Sequence, residues 1–259
     1  MAGSDETYRS YETYFETKKY AQRYPLPNRL ALARILRALS PGATLIDIGA
    51  GHGRYSIALA EKGYTVVAVE RSDAAREQLT ETALRRGLSD KLHCFKELED
   101  VDPKLAEKSR LSLLLFGVLS HMAFKEREIA LKTIQSMMDE KVNVIGSVPC
   151  TFRRYKSERV NAKIDDFGDA PRFFYTHHLD GATHEFAYTA FSPQQLRAEF
   201  ALHGWEPVQM KTESVLSERK VARNRIIGAG DAMFSRMTPC RFSHAIFFHI
   251  RPADDAPPN

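Results

Sequence analysis

The sequence predicts a doubly wound α/β fold, a mostly parallel sheet with helices on both faces. Between residues 29 and 150, short apolar strands alternate with amphipathic helices. The first strand runs directly into a glycine-rich turn and a helix, as in parallel-sheet proteins that bind nucleotides. The run Arg110–Met122 is almost continuously apolar, which is typical of a strand that is buried on both faces.

The first half of the chain supplies regularly spaced elements. A helix over residues 30–39 ends at Pro41-Gly42, and a strand at Leu45 and Ile46 leads through the turn into a helix from about Tyr55 to Glu61. The other predicted elements are a strand closed by Glu70, a helix from Ser72 or Asp73 to about Arg86, a strand over Leu92–Phe95, the Arg110–Met122 run, a helix over Glu126–Met138 and a strand that Pro149 terminates.

After residue 150 the pattern becomes aromatic and antiparallel. The segments Arg172–Leu179 and Thr183–Phe191 flank Asp180-Gly181, which favours a tight turn, so we expect a β-hairpin. Ser192 is a good N-cap for the next helix, and two final strands follow Gly204. The GAGDA stretch at 228–232 does not follow a strand, so we expect its glycines to lie in a loop.

The glycine-rich turn is the most informative segment for function. Residues 47–53 read D-x-G-x-G-x-G, with Asp47 two residues before the first glycine. Glycines let the backbone turn sharply and approach a ligand, and the following helix offers free N–H groups. Glu70 ends the next strand, where a carboxylate can accept hydrogen bonds from ribose hydroxyls. Because Asp47 would repel a pyrophosphate, the pattern favours an adenosine-containing cofactor that carries positive charge.

This pattern resembles the first motif of class I S-adenosylmethionine-dependent methyltransferases, and the resemblance covers roughly residues 29–250. It implies a seven-stranded sheet whose last strand is antiparallel beside the sixth, with the aromatic hairpin inserted after strand five. The domain division that follows is an N-terminal cap or lid over residues 1–28, a single domain over 29–252 with its insertion at about 151–191, and a disordered tail over 253–259.

The resemblance implies S-adenosylmethionine as the cofactor and suggests which residues bind it. Asp47 and the glycines would hold the methionine part, Glu70 the ribose, and residues after the third strand the adenine. The FGVLSHM segment matches the end of the fourth strand in that family. The complete predicted set is Asp47, Gly49, Ala50, Gly51, Gly53, Glu70, Arg71, Glu97, Leu98, Phe116 and Gly117.

His121 is the candidate catalytic base, because the resemblance places it where the methyl group emerges. The alternative is a histidine that only packs and caps the following helix. Tyr14, Tyr20 and Tyr24 are candidates for a lid over the substrate, or else form an aromatic surface on the first helix.

The hairpin supplies the remaining candidate side chains. Its aromatics alternate along the strands, so that one row, including Tyr175 and Tyr188, could roof the pocket. His177, His178 and His184 lack an accompanying acid or cysteine, and no metal site is predicted.

Composition narrows the choice of partners and compartment. The formal net charge is +4, and the basic stretches Arg153–Arg159 and Arg219–Arg225 are short, which favours solvated surface over a nucleic-acid track. Three widely spaced cysteines and an N-terminus without an apolar signal core predict a reduced, cytoplasmic protein. No apolar run is long enough to span a bilayer, so no membrane partner is predicted.

The sequence therefore predicts a methyltransferase that acts on a small molecule, because the insertion is aromatic and not strongly basic. A tRNA or rRNA methyltransferase is the alternative, although no N/D-P-P-Y/F motif for base amines is present. A non-catalytic protein that binds S-adenosylmethionine is a further alternative, and a dehydrogenase is a distant one. The acceptor atom and the oligomeric state stay open.

Overall fold

A seven-stranded sheet forms the centre of the protein. The computed structural model describes residues 4–138, 142–152, 163–167, 170–179 and 182–253. The strands are β1 Thr44–Ile48, β2 Thr65–Val69, β3 Leu92–Phe95, β4 Ser109–Leu114, β5 Asn143–Pro149, β6 Lys163–Phe167, β7 Ala170–Leu179, β8 Ala182–Thr189, β9 Trp205–Ser214 and β10 Ala245–Pro252. The central sheet has the order β3-β2-β1-β4-β5-β10-β9, and β10 is antiparallel to both of its neighbours. The predicted fold class is confirmed.

Helices cover both faces of this sheet. They are α1 Ser4–Glu16, α2 Lys19–Arg23, α3 Arg29–Ala38, α4 Ser56–Ala60, α5 Asp73–Arg85, α6 Pro103–Lys108, α7 Val118–His121, α8 Phe124–Met137, α9 Pro193–Leu202, α10 Glu218–Arg223 and α11 Arg225–Met237. Their starts follow the sequence: Asn28, Ser72 and Ser192 accept hydrogen bonds from free N–H groups at the starts of α3, α5 and α9.

The strand alternation divides the core into two layers. Ile46 and Val67 pack on the side that holds Leu131 of α8, whereas Leu45 and Val66 pack on the side that holds Ile35 of α3. Adjacent residues of a strand point to opposite faces, so the apolar run of each strand serves both layers. The parallel strands are thereby fixed in register, and their carboxyl ends lie along one edge.

The insertion after β5 is a three-stranded antiparallel sheet, β6-β7-β8. The predicted hairpin is confirmed as the β7–β8 pair, in which Arg172 lies opposite Thr189. Its turn at 180–181, the basic stretch 153–159 and the tail from residue 254 lie outside the described residues.

Two expectations differ from the structure. GAGDA lies inside helix α11 and not in a loop, because Gly228 and Asp231 sit on the buried face of that helix, where small side chains allow close packing. The apolar run that begins at Arg110 is a strand only as far as Leu114; its second part forms α7 after a turn at Phe116 and Gly117. Apolar composition alone does not distinguish a strand from a buried helix.

Among the described residues, no helix is both long and apolar enough to cross a membrane.

Candidate active site

The glycine-rich turn lies at the carboxyl end of β1. Gly49, Gly51 and Gly53 all have positive φ, at 69°, 56° and 87°, a conformation that residues with a Cβ seldom adopt. A Cβ on Gly49 would lie 2.6 Å from Cγ2 of Val118, and one on Gly53 would lie 2.1 Å from Cδ1 of Leu79. The turn thus needs glycine both for its backbone angles and for the space around it.

Asp47 is a buried carboxyl group beneath this turn. It is 3% exposed, and the Ser56 hydroxyl donates a hydrogen bond to its Oδ2. Burial raises the pKa of Asp47 to about 7, and the hydrogen bond from Ser56 only partly opposes this effect. A cation that entered the adjacent cavity would favour the ionised form of Asp47.

Glu70 links the turn to the next helix. Its Oε2 accepts the Gly51 N–H at 2.7 Å, and its Oε1 accepts the Ser72 N–H at 2.9 Å. Burial raises the pKa of Glu70, and these two backbone hydrogen bonds oppose the rise. Each carboxylate oxygen has two lone pairs, so Glu70 can hold the turn and still accept a hydrogen bond from a ligand hydroxyl.

A strained turn follows β4 on the other side of the cavity. Phe116 has a φ of 58°, which is rare for a bulky residue, and Gly117 has a φ of 86°. Ser147 of β5 fixes this geometry, because its hydroxyl accepts the Phe116 N–H and its carbonyl accepts the Gly117 N–H, each at 2.9 Å. The turn directs the Phe116 ring into the cavity wall. Such strain is common where a side chain is held for function.

Helices α1 and α2, which we call the N-terminal cap, form one wall of the cavity. The Glu12 carboxylate accepts the Ala74 N–H of α5 at 3.0 Å, and the Ser10 hydroxyl donates to the Glu185 carbonyl of β8 at 3.2 Å. The Phe15 ring lies over the glycine turn, where Cζ would be 3.4 Å from a Cβ on Gly51. The cap therefore connects the main sheet to the inserted sheet across the cavity.

His121 lies in the cavity wall at the end of α7, between the cap and the insertion. Its Nδ1 is 2.8 Å from the Ala187 carbonyl oxygen, and its Nε2 is 2.8 Å from the Tyr11 hydroxyl. Because a carbonyl can only accept, Nδ1 carries the proton of the neutral ring and Nε2 is the acceptor. The Tyr11 hydroxyl therefore donates to the basic nitrogen of His121, and this pair can accept a proton from a bound molecule.

A buried ion pair forms the base of the cavity. Arg54 pairs with Glu218 of α10, and its guanidinium carbon lies 5.0 Å from the centre of the Phe116 ring. Burial lowers the pKa of Arg54, but the Glu218 carboxylate more than offsets this effect. The Nη1 atom of Arg54 is buried and has no hydrogen-bond partner among the described residues. The Arg54 residue lines the cavity and brings a positive charge to its wall.

These parts surround a cavity of about 450 Å³, within the range of roughly 300–1,000 Å³ that is common for small-molecule sites. Nine of the eleven residues predicted to bind the cofactor line it: Asp47, Gly49, Ala50, Gly51, Glu70, Arg71, Glu97, Leu98 and Phe116. Gly53 packs instead against Leu79 and Ile57, and Gly117 starts α7. Contact with a cofactor stays a prediction for all eleven residues.

The predicted substrate tyrosines divide between the cavity and its surroundings. Tyr20 lines the cavity, whereas Tyr14 and Tyr24 support it from behind: Tyr14 packs 5.4 Å from the Tyr20 ring and Tyr24 packs 4.7 Å from the Phe116 ring. Tyr188 is buried and stacks on Phe173. The side chains of Tyr175, His177, His178 and His184 lie outside the described residues.

Sequence reasoning missed several wall residues. His52 occupies a variable position of the glycine motif and Arg54 directly follows its last glycine, so their place at the turn could have been inferred from spacing alone. Burial lowers the pKa of His52 to about 4, with Arg54 adding to the shift, so its ring is neutral near pH 7. Tyr11 and Phe15 reach the wall only through the docking of α1, which no local sequence pattern indicates.

Comparison with known proteins identifies the family and the fold of this chain. The family model described as "Methyltransferase domain" matches residues 19–210, which is well over half of the chain. A 23S rRNA uracil C(5)-methyltransferase from Aromatoleum aromaticum is 30% identical over 160 residues, or 59% of this chain. The chain spans only 36% of the length of that curated relative.

Solved methyltransferase structures share the fold. An N1-methyltransferase from Burkholderia thailandensis, with bound 1,6-didemethyltoxoflavin and S-adenosylhomocysteine, aligns with a TM-score of 0.64 at 17% identity, over 98% of this chain and 92% of its own. The CcbJ methyltransferase from Streptomyces caelestis aligns with a TM-score of 0.61 at 15% identity, over 88% and 91%. The chain belongs to the methyltransferase-domain family.

Proposed function

We propose that this protein transfers a methyl group from S-adenosylmethionine to a small-molecule acceptor. The observation that carries the proposal is the composition of the cavity wall. A glycine turn, a buried acid and the guanidinium of Arg54 lie on one side, and the Tyr11–His121 pair lies on the other. The solved relative from Burkholderia thailandensis, which aligns over 98% of this chain, holds a small acceptor together with the demethylated cofactor.

The residues present fit S-adenosylmethionine. Its amino-acid end carries an ammonium and a carboxylate, and the cavity wall contains Asp47 for the first and the positive charge of Arg54 for the second. Gly49 and Gly51 line the cavity without side chains, so a ligand can approach the backbone of the turn. Glu70 faces the cavity with acceptor capacity for ribose hydroxyls. No pyrophosphate would be stable beside the Asp47 carboxylate.

When bound, S-adenosylmethionine supplies an electrophilic methyl group on a positively charged sulfur. The protein contributes placement: the cap and the Phe116 turn exclude water and hold two reactants in line. The aromatic faces of Tyr20 and Phe116 favour positive charge nearby. His121 accepts the proton of an O–H or N–H acceptor, either directly at Nε2 or through the Tyr11 hydroxyl.

The charge of the cavity wall favours a small acceptor over RNA. Five acidic residues line it, namely Asp47, Glu70, Glu97, Glu99 and Glu126, against two arginines, Arg54 and Arg71. A polyanionic backbone would be repelled from such a wall, since RNA binding depends on cationic contacts to phosphates. The cap also narrows the site, where Tyr11, Phe15 and Tyr20 form part of the wall.

An rRNA acceptor is the second candidate, because the curated relative named above methylates 23S rRNA. That relative is longer than this chain, which covers 36% of it. The shared segment supports the cofactor half of the proposal equally under both candidates.

The deciding experiment incubates the purified protein with methyl-labelled S-adenosylmethionine and, separately, with the small-molecule and RNA fractions of a cell extract. We expect label in a small molecule and none in RNA. Label that appears only in RNA would replace the first candidate with the second. The His121→Ala variant serves as the control for non-enzymatic transfer in both arms.

We also propose that residues 1–28 act as a cap on a single domain over 29–252, and that the protein works in the cytoplasm. The cap docks through α1 onto α5 and β8. None of Cys94, Cys150 and Cys240 forms a disulfide, which suits a reducing compartment.

A further inference from the structure

Helix α11 carries its apolar side chains on the face that points to solvent. Ile226 and Met237 are each 83% exposed, Phe234 is 61% exposed and Met233 is 57% exposed. Ile226, Met233 and Met237 are seven and four residues apart, so they lie on one face of the helix. A helix on a globular domain normally turns such a face inward, and an exposed apolar patch marks an interaction site.

The orientation of this helix is fixed by its other face. Gly228, Asp231, Ala232 and Ser235 are buried against the domain. The Asp231 carboxylate accepts the N–H groups of Val215 and Leu216 at 3.0 Å and 2.8 Å, which binds α11 to the chain that leaves β9. Small and polar residues therefore fill the contact with the domain, and rotation of the apolar side chains inward would break these hydrogen bonds.

The exposed charged side chains of α11, of the chain on either side of it and of the neighbouring helix α3 are all positive. From residue 211 to residue 241, a stretch that the structure describes in full, the three acids Glu213, Glu218 and Asp231 are all buried. The exposed charges of that stretch are Lys211, Arg219, Lys220, Arg223, Arg225, Arg236 and Arg241. The neighbouring helix α3 adds exposed Arg29 and Arg37 and contains no acid.

We propose that the outward face of α11 binds an anionic lipid surface, with its apolar side chains in the headgroup boundary and the surrounding arginines on lipid phosphates. An exposed apolar helix face bordered by cationic side chains is the pattern by which helices lie in a membrane interface without crossing it. The sequence predicted solvated surface at Arg219–Arg225 and no membrane partner, because it contains no spanning run; surface binding requires none.

Other occupants fit the charges less well. A second copy of the chain would bring two cationic borders together, which disfavours pairing. RNA would suit the arginines, and Phe234 offers one ring for a base to stack on, but Ile226, Met233 and Met237 make most of this face aliphatic. An anionic lipid surface offers an apolar boundary to the aliphatic face and phosphates to its cationic border.

Co-sedimentation with lipid vesicles tests the proposal on the full chain. We expect binding to phosphatidylcholine vesicles that contain phosphatidylglycerol, at least about tenfold weaker binding to phosphatidylcholine alone, and weakening with added salt. Met233→Gln/Met237→Gln should lower binding to the anionic vesicles by about tenfold or more. Arg223→Gln/Arg225→Gln should lower it several-fold and flatten its salt dependence.

The matched control is Leu202→Gln, which removes an equally exposed apolar side chain from α9, 74% exposed, and should leave vesicle binding unchanged. Cofactor affinity and thermal unfolding of each variant report that its fold is intact. Failure of the unmodified protein to bind anionic vesicles would overturn the proposal. So would a dimer, seen by light scattering, that the Met233→Gln/Met237→Gln variant abolishes, or RNA binding that depends on the arginines alone.

Discussion

At the scale of single residues, Asp47 has the most unusual environment in the site. It has no ion-pair partner in the part of the chain that the structure describes, it is 3% exposed, and burial raises its pKa to about 7. Below this value the group is protonated and neutral, and above it the carboxylate can attract a cation. Its ionisation should therefore be coupled to the binding of a positively charged cofactor.

Cofactor affinity should consequently depend on pH. As the pH falls below about 7, we expect the affinity for S-adenosylmethionine to fall by up to about tenfold per pH unit, because the cation then has to displace a proton. Isothermal titration calorimetry in buffers of different ionisation enthalpy should detect proton release. Asp47→Asn should bind more weakly with little pH dependence. A flat pH profile in the unmodified protein would contradict the assignment.

In the protein without cofactor, the stability depends on pH in the opposite direction. The folded-state pKa of Asp47 lies above its ordinary value of 3.8, so the folded state binds more protons than the unfolded state between the two values. Stability from this group is present below pH 4 and is lost as the pH rises to about 7. Bound cofactor should offset that loss.

The Tyr11–His121 pair is the second prediction at this scale. His121→Ala should lower kcat by about 100-fold or more, with little change in cofactor Kd, because it removes the proton acceptor. Tyr11→Phe keeps the ring and removes the hydroxyl that donates to Nε2. If the tyrosine relays the proton, the Tyr11→Phe loss should approach that of His121→Ala. Unchanged turnover in His121→Ala would remove this residue from the mechanism.

At the scale of elements, the N-terminal cap decides whether the cavity is closed. Helix α1 packs its aromatic side chains on Phe186 of the inserted sheet, and hydrogen bonds tie it to α5, where the Ala74 N–H donates to Glu12 and the Gln78 amide donates to the Phe15 carbonyl. An element held in this way can open locally while the rest of the fold stays intact. The cap is thus suited to admit ligands and then exclude water.

Glu12→Ala should loosen the cap and leave the sheet unchanged. Without the carboxylate, the Ala74 N–H at the start of α5 loses its acceptor, which costs about 0.5–2 kcal/mol. We expect faster amide hydrogen exchange in residues 8–16 and a higher KM, with the unfolding temperature within a few degrees of normal. Glu16→Ala, an exposed site on the same helix, is the control. Equal exchange in both variants would show that Glu12 does not hold the cap.

At the scale of the whole molecule, a buried ionic cluster joins distant parts of the chain. Arg54 follows the glycine turn, Glu218 belongs to α10, and Asn28 before α3 donates to the Glu218 carboxylate at 3.3 Å. Glu213 lies close by, and burial together with the charge of Glu218 raises its pKa to about 8. Arg54 is the cation that pairs directly with Glu218 in a region that contains two buried acids.

Removal of that cation should be costly. Arg54→Met leaves the buried Glu218 carboxylate without its ion-pair partner and should lower the free energy of unfolding by about 3–5 kcal/mol. The same change at Arg251, which pairs with Glu206 at an exposed site, should cost at most about 1 kcal/mol. Denaturant unfolding of the protein without cofactor measures both. Similar losses at the two sites would show that the cluster is not a centre of stability.

The fold was predictable because its signals are local and repeated. Strand alternation, capping residues such as Ser72 and Ser192, and the glycine spacing each act over a few residues. The error at GAGDA has the opposite origin: glycines that favour a loop by themselves are retained in a helix when Gly228 must pack closely against the domain. Close packing is a property of the partner surface, which local composition does not describe.

The sequence by itself determined the crossover between β1 and β2, the cofactor class and the acid beneath the turn, because these depend on backbone freedom and charge within some 25 consecutive residues. Tertiary structure alone decided that Tyr11 meets His121, that Arg54 meets Glu218, and that α11 turns its apolar face outward. The residues of the two pairs are 110 and 164 positions apart in the chain. Contacts over such separations arise only when packed elements bring their side chains together.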